Sequence, residues 1–291
     1  MRRIFITGAS TGIGAALARH YAGPDTAVGL FARRRDLLEG LAASLPGQSA
    51  VYAADITDTA AIAAAAQDYL ARFGAPDLVI ANAGISVGTH GDELNDVDKL
   101  RRVLEVNVAG LAATLAAFAP AMRAAGTGTL CGIASVAGFR GLPGAGAYST
   151  SKAAAITWLE ALRAELRGSG VSVVTLCPGY IDTPMTQVNK YRMPFLIGAD
   201  DAARRFARAI AAKRRLAVIP WQMALVSLLM RALPGWLYDR LAARAPRKPR
   251  NVPLGTGSSP SYRPLPSWFA SSASQTSSSA VPASASTPGR S

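Results

Sequence analysis

Short apolar runs alternate with helical patterns along the first 220 residues of this chain, and that alternation leaves few architectures open. Residues 3–7 form an apolar, β-branched run that reads as a buried strand, and 13–21 follow as a helix. The pair recurs as 27–32 and 33–45, where Leu37, Leu38 and Leu41 share a face, and again as 50–53 and 58–73. Strands at 78–82, 128–133 and 171–177 alternate with long helices at 97–122 and 147–168, and 216–219 is a candidate seventh strand. Val79-Ile80 and residues 171–176 read largely as continuous apolar runs, as strands covered on both faces do. The expected fold is α/β: a Rossmann-type, doubly wound parallel sheet with helices on both faces, forming a single domain.

The turn from the first strand into the first helix reads Thr7-Gly8-Ala9-Ser10-Thr11-Gly12-Ile13-Gly14. Glycines there permit a tight turn and let a phosphate approach the backbone. The helix N-terminus then offers free N–H groups and the positive end of its dipole to a pyrophosphate. The spacing is Gly-x3-Gly-x-Gly rather than the G-x-G-x-x-G of other dinucleotide folds. The second strand ends Leu30-Phe31-Ala32-Arg33-Arg34, with no acid to accept from the ribose hydroxyls of NAD; Asp36 falls inside the next helix. Arginine is a bidentate partner for a 2′-phosphate, so Arg33 and Arg34 favour NADP(H) over NAD(H).

With these motifs in order, the chain resembles the short-chain dehydrogenase/reductase family over roughly residues 2–219. The glycine turn supplies Gly8, Ser10, Thr11, Gly12, Ile13 and Gly14 as cofactor contacts. The resemblance sets Asp55 near the adenine ring, Asn82-Ala83-Gly84 after the fourth strand, and Asn107 in the long helix as an active-site residue holding a water in a relay to Lys152. It makes Ser135, Tyr148 and Lys152 the catalytic set, with the family's 13-residue step from Ser to Tyr. Pro178-Gly179 and Ile181 follow the sixth strand, and Thr183 meets the nicotinamide carboxamide. Tyr148 and Lys152 also belong to the cofactor site, Lys152 through the nicotinamide ribose.

The chemistry stands on the residues as well. Tyr148 and Lys152 are four apart and share a helix face. A free phenol titrates near ~10, and a neighbouring ammonium is expected to pull that down toward neutral pH. Hydride transfer to a carbonyl develops negative charge on its oxygen; Ser135 and Tyr148 can donate to it, and Tyr148 completes the proton transfer. The expected activity is an NADP-dependent oxidoreductase acting on CH–OH groups, interconverting a secondary alcohol and a ketone or reducing an aldehyde. A non-catalytic NADP(H)-binding regulator on the same fold is the alternative.

Met185, Val188, Tyr191, Met193, Phe195 and Leu196 gather after Thr183 as an apolar lid, which suggests a bulky apolar substrate. Residues 221–237 are apolar too, broken by Arg231, Pro234 and Gly235, and too short for a confident membrane span. They are expected to cap the pocket, or to anchor at a lipid interface; peripheral membrane contact would run through 221–250. The domain is drawn over 1–243, with 220–243 as this cap or interfacial segment. Residues 244–291 form a basic, then Ser/Pro-rich tail expected to be disordered.

The formal net charge is +13, from 31 Lys+Arg against 18 Asp+Glu. Six of the basic residues lie from Arg244 onward, where there is no acid. No interleaved basic–aromatic stripe accompanies the charge, so no nucleic-acid partner is expected. Two cysteines in apolar runs, Cys131 and Cys177, suit a reducing, cytoplasmic compartment rather than a disulfide scaffold. With two histidines, His20 and His90, no metal site is expected. By analogy with the family, the long helices would pair the chain as a homodimer or homotetramer.

Overall fold

The computed structural model describes residues 1–189, 191–244 and 247–250. Its elements follow the alternation: β1 (Arg2–Thr7), α1 (Gly12–Tyr21), β2 (Thr26–Ala32), α2 (Arg35–Ser44), β3 (Gln48–Ala53), α3 (Thr59–Phe73) and β4 (Leu78–Ala81). Then come α4 (Val97–Leu104), α5 (Gly110–Ala125), β5 (Thr129–Ile133), α6 (Gly146–Glu165), β6 (Ser172–Pro178), β7 (Ile181–Asp182), α7 (Pro184–Gln187), β8 (Ile197–Gly198), α8 (Ala199–Ala211), β9 (Leu216–Ile219), α9 (Gln222–Ala232) and α10 (Gly235–Ala242). Seven strands form one parallel sheet in the order β3-β2-β1-β4-β5-β6-β9, and β7 and β8 pair separately. The order reverses between β1 and β4, where open α/β sheets leave a crevice at their carboxyl ends.

Alternate side chains of each strand feed two cores. Ile4, Ile6, Val28, Leu30, Ile80 and Val174 meet α1, α2 and α8 on one face. Phe5, Phe31, Val79, Leu130 and Val173 meet α3, α5 and α6 on the other. Both faces are therefore dry, which is why the strands read as largely apolar runs. The helical run Leu94–Ala125 is long and apolar enough to cross a membrane, yet half of its most apolar stretch is buried, and it packs against α3 and α6. The long helix is not regular: Glu105–Ala109 forms a π-helical turn between α4 and α5. Such turns tend to occur at functional sites, and this one carries Asn107.

α9 is apolar on both sides. Met223, Ser227 and Met230 turn inward, while Leu225, Leu228 and Leu229 stay exposed with Trp221 and Trp236. Arg140 pins the end of α9: its Nη1 donates to the carbonyls of Met230 at 2.5 Å and Leu233 at 2.9 Å, and its guanidinium lies 4.0 Å from the Tyr238 ring centre. The domain boundary differs from the expected 243. The compact unit runs over Met1–Leu254, because residues 247–250 return to the loop after β4. The expected disordered tail lies otherwise outside the described residues.

Candidate active site

One cleft at the carboxyl ends of the strands gathers the sequence motifs. It is lined by Gly8, Ser10, Thr11, Gly12 and Ile13 of the first turn, by Arg33, Arg34 and Asp55, and by Asn82, Ala83 and Gly84. Ser135, Tyr148, Lys152, Pro178, Gly179, Ile181 and Thr183 complete it. Two expected residues do not border the cleft. Gly14 lies in the first turn of α1, where a Cβ would run into the Gly8 carbonyl and lie 2.7 Å from Asn82 Nδ2, so its part is close packing. Asn107 is buried behind Gly84: Oδ1 accepts from Ile85 N at 2.8 Å, and Nδ2 donates to Ile85 O and Ser151 Oγ, both at 2.9 Å.

The first turn fits a dinucleotide. Gly8 and Gly12 have φ of +68° and +56°, and a Cβ on Gly8 would lie 2.8 Å from the Ala83 Cα. Thr11 at the start of α1 makes no side-chain cap, so the first helical N–H groups are left for an anion. Arg34 Nη2 donates to both Ser10 Oγ and Thr11 Oγ1 at 3.0 Å. Arg33 lies 3.9 Å from Asp55 Oδ2, while Arg102 takes the same oxygen at 2.9 Å. Burial would raise the Asp55 carboxyl. The Thr57 amide and hydroxyl, with Arg102 and Arg33, outweigh it and hold the group below the usual carboxylate range. Sequence reasoning missed Arg102, which sits 47 residues from Asp55.

At the other end of the cleft, Ser135 leaves β5 extended, and its Oγ accepts from Ala137 N at 3.1 Å. Its Oγ donates to Pro178 O at 3.4 Å, and its hydroxyl is the neighbour that favours phenolate at Tyr148. Lys152 Nζ lies 5.7 Å from the Tyr148 ring centre and donates to Ile133 O at 2.8 Å. The expected downward pull on Tyr148 is not what the structure gives. Burial raises the phenol above its ordinary value despite Ser135. The same burial lowers Lys152 to about 8, since a desolvated ammonium spends its charge poorly. Ser151, also missed, links Asn107 to the catalytic helix by donating to Tyr148 O at 2.8 Å.

A second cavity adjoins this end, lined among others by Leu142, Tyr180, Tyr191, Met230, Leu233 and Tyr238, with Lys248. The α9–α10 segment thus walls this cavity. Of the expected lid residues, Met185 borders the cofactor cleft and Tyr191 the second cavity, while Val188, Phe195 and Leu196 are exposed. Cys131 and Cys177 are unpaired and buried; burial pushes both thiols up, Cys177 to about 12. His20 is exposed, and His90 borders neither cavity.

Residues 2–193 match the family described as short chain dehydrogenase. A Myxococcus xanthus (strain DK1622) protein described as an uncharacterized oxidoreductase is 36% identical over 246 residues, covering 84% of this chain and 97% of that one. A short chain dehydrogenase/reductase from Burkholderia phymatum, solved in complex with NAD, matches with a TM-score of 0.72 at 25% identity, covering 86% of this chain and 98% of that chain. An alcohol dehydrogenase from the archaeon Thermococcus sibiricus, complexed with 5-hydroxy-NADP, matches with a TM-score of 0.67 at 28% identity, over 75% and 96% of the two chains.

Proposed function

The chain belongs to the short-chain dehydrogenase/reductase family of oxidoreductases, and on that premise we propose that it is NADP(H)-dependent and interconverts a secondary alcohol and a ketone, or reduces an aldehyde, on a bulky apolar compound. The observation that carries the reading is the convergence of Ser135, Tyr148 and Lys152 on one cleft with an uncapped helix N-terminus. The bound nicotinamide supplies or accepts the hydride. The chain's own residues handle the oxygen. Ser135 and Tyr148 donate hydrogen bonds to it as charge develops, and the phenol proton passes to it as the alcohol forms. A raised phenol pKa keeps that proton on Tyr148 until the oxygen is basic enough to take it. Lys152, fixed by Ile133 O, borders the cleft where the nicotinamide ribose would lie.

NADP(H) is supported by the Arg34–Ser10–Thr11 cluster and by the absence of an acid at the end of β2. The apolar substrate is supported by the aromatic and aliphatic wall of the second cavity. The exposed outer faces of α9 and α10, with Arg231, Arg240 and Arg244 along the same stretch, support peripheral contact with an anionic lipid surface. Two unpaired buried thiols suit a reducing, cytoplasmic setting. The test is oxidation of NADPH and NADH against a carbonyl panel that includes long-chain and polycyclic ketones. Turnover with NADPH is expected; preference for NADH would overturn the cofactor reading, and no turnover with either would overturn the activity.

A further inference from the structure

Residues 247–250 form a strap held on both sides of Lys248. Ahead of it, Arg247 lies against Gly144, where a Cβ would come within 2.8 Å of the Arg247 Cβ. Behind it, the Pro249 carbonyl accepts from Gly88 N at 3.0 Å. The Arg250 guanidinium pairs with Asp96 at 3.0 Å and Glu93 at 3.8 Å. A Cβ on Gly88 would strike the Lys248 carbonyl, so the close approach depends on that glycine. Asp96 is itself buried, which makes Arg250 a firm anchor.

This arrangement fixes Lys248 at the seam between the two cavities. Its Nζ donates to Ser86 Oγ at 2.7 Å and lies 5.6 Å from the Tyr148 ring centre. Its side chain borders the second cavity with Tyr180, Tyr191 and Tyr238. Arg250, two residues on, takes two acids; among the described residues no carboxylate pairs with Lys248. Burial lowers its ammonium to about 8, so at neutral pH it is still mostly charged. Among the described residues the hydrogen-bond partner of Lys248 Nζ is the neutral Ser86 hydroxyl, and a desolvated ammonium so held costs free energy that a structural strut would not need. Placed among apolar walls beside a reacting group, it is the kind of polar anchor that orients a ligand.

We propose that Lys248 is a specificity residue that receives a carboxylate of the substrate, so that the compound reduced at Tyr148 is an apolar oxo-acid whose carboxylate lies a few bonds from its carbonyl. This rests on the reading of Tyr148 as the proton donor to a carbonyl. The hydrophobic remainder occupies the cavity walled by α9 and α10, and the neutral ester of the same acid leaves the ammonium unpaired.

The test is calorimetric titration of a medium-chain gamma-keto carboxylate and of its methyl ester into the full chain, loaded with the oxidised cofactor it binds better so that no turnover occurs. The wild type is expected to favour the acid by about tenfold or more, as a charge-assisted pair warrants. Lys248→Met should lose that preference with ester binding unchanged, and Lys248→Arg should keep it. No preference in the wild type, a preference that survives Lys248→Met, or equal weakening of both ligands would overturn the proposal. The same pair in an NADPH-oxidation assay separates the two readings. Selective binding without turnover leaves the anion site standing and removes the activity, whereas turnover of neutral ketones without selective binding does the reverse.

Discussion

Arg34 Nη2 donates to Ser10 Oγ at 3.0 Å, so the end of β2 and the glycine turn share one guanidinium. Ser10 and Arg34 are 24 residues apart, and their meeting creates a small cluster of donors beside the uncapped start of α1. A 2′-phosphate would find both in reach, together with Arg33.

Removing both arginines is therefore expected to raise the KM for NADPH and leave that for NADH nearly unchanged. Loss of charged phosphate contacts is worth roughly 1.5–3 kcal/mol. Steady-state kinetics of the Arg33→Ala, Arg34→Ala double variant with both cofactors checks it. An unchanged NADPH/NADH ratio would move the phosphate site elsewhere.

Tyr148→Phe should abolish turnover with little effect on NADPH binding. The phenol acts in the transition state rather than in ground-state binding. General acid–base catalysis is commonly worth ~10²–10⁴-fold. A variant keeping more than about a tenth of the wild-type rate would disqualify Tyr148 as the acid.

Lys152 gives a pH signature of its own. Its folded value is lowered from 10.5 to about 8 by burial, so between those pH values the unfolded chain holds a proton that the folded chain has released. Stability from this group must then rise with pH across that window and level off above it. The thermal midpoint of cofactor-free wild type, measured against Lys152→Met, should gain ground from about pH 8 upward. A constant difference would mean that the amine is not desolvated as the fold implies.

Arg140→Met should loosen the α9–α10 segment without touching the cofactor cleft. The variant removes donors to the Met230 and Leu233 carbonyls and the stacking on Tyr238. The kcat/KM for large ketones is expected to fall about tenfold or more, a charged hydrogen bond to backbone being worth roughly 1.5–3 kcal/mol. Cofactor affinity should hold, and a parallel fall in cofactor affinity would contradict a role confined to the α9–α10 segment.

The outer face makes a separate prediction. Wild type should pellet with anionic vesicles at low salt and release as ionic strength rises. Replacing exposed Trp221, Leu225 and Trp236 with Ser should abolish pelleting and leave the folded core intact, since none of the three is buried. Wild type that ignores such vesicles would remove the lipid contact.

The sequence by itself determined the layered α/β fold and most of the cofactor cleft. Strands buried on both faces must be continuously apolar, and a phosphate cradle must be glycine-rich just where a strand meets a helix, so both leave local marks. Tyr148 and Lys152 were legible because one helix turn separates them. The tertiary structure decided the rest, because each remaining feature depends on partners distant in the chain. The π-helical turn carries Asn107, whose partners Ile85 and Ser151 lie 22 and 44 residues away. The direction of the Tyr148 shift follows chiefly from the desolvation of the phenol, which outweighs the Ser135 hydroxyl, and spacing cannot reveal it. The return of Lys248 to Ser86 crosses 162 residues. In sequence that segment looks like the start of a basic tail, and only the close fit of Gly88 and the buried Asp96 turns it into a wall of the site.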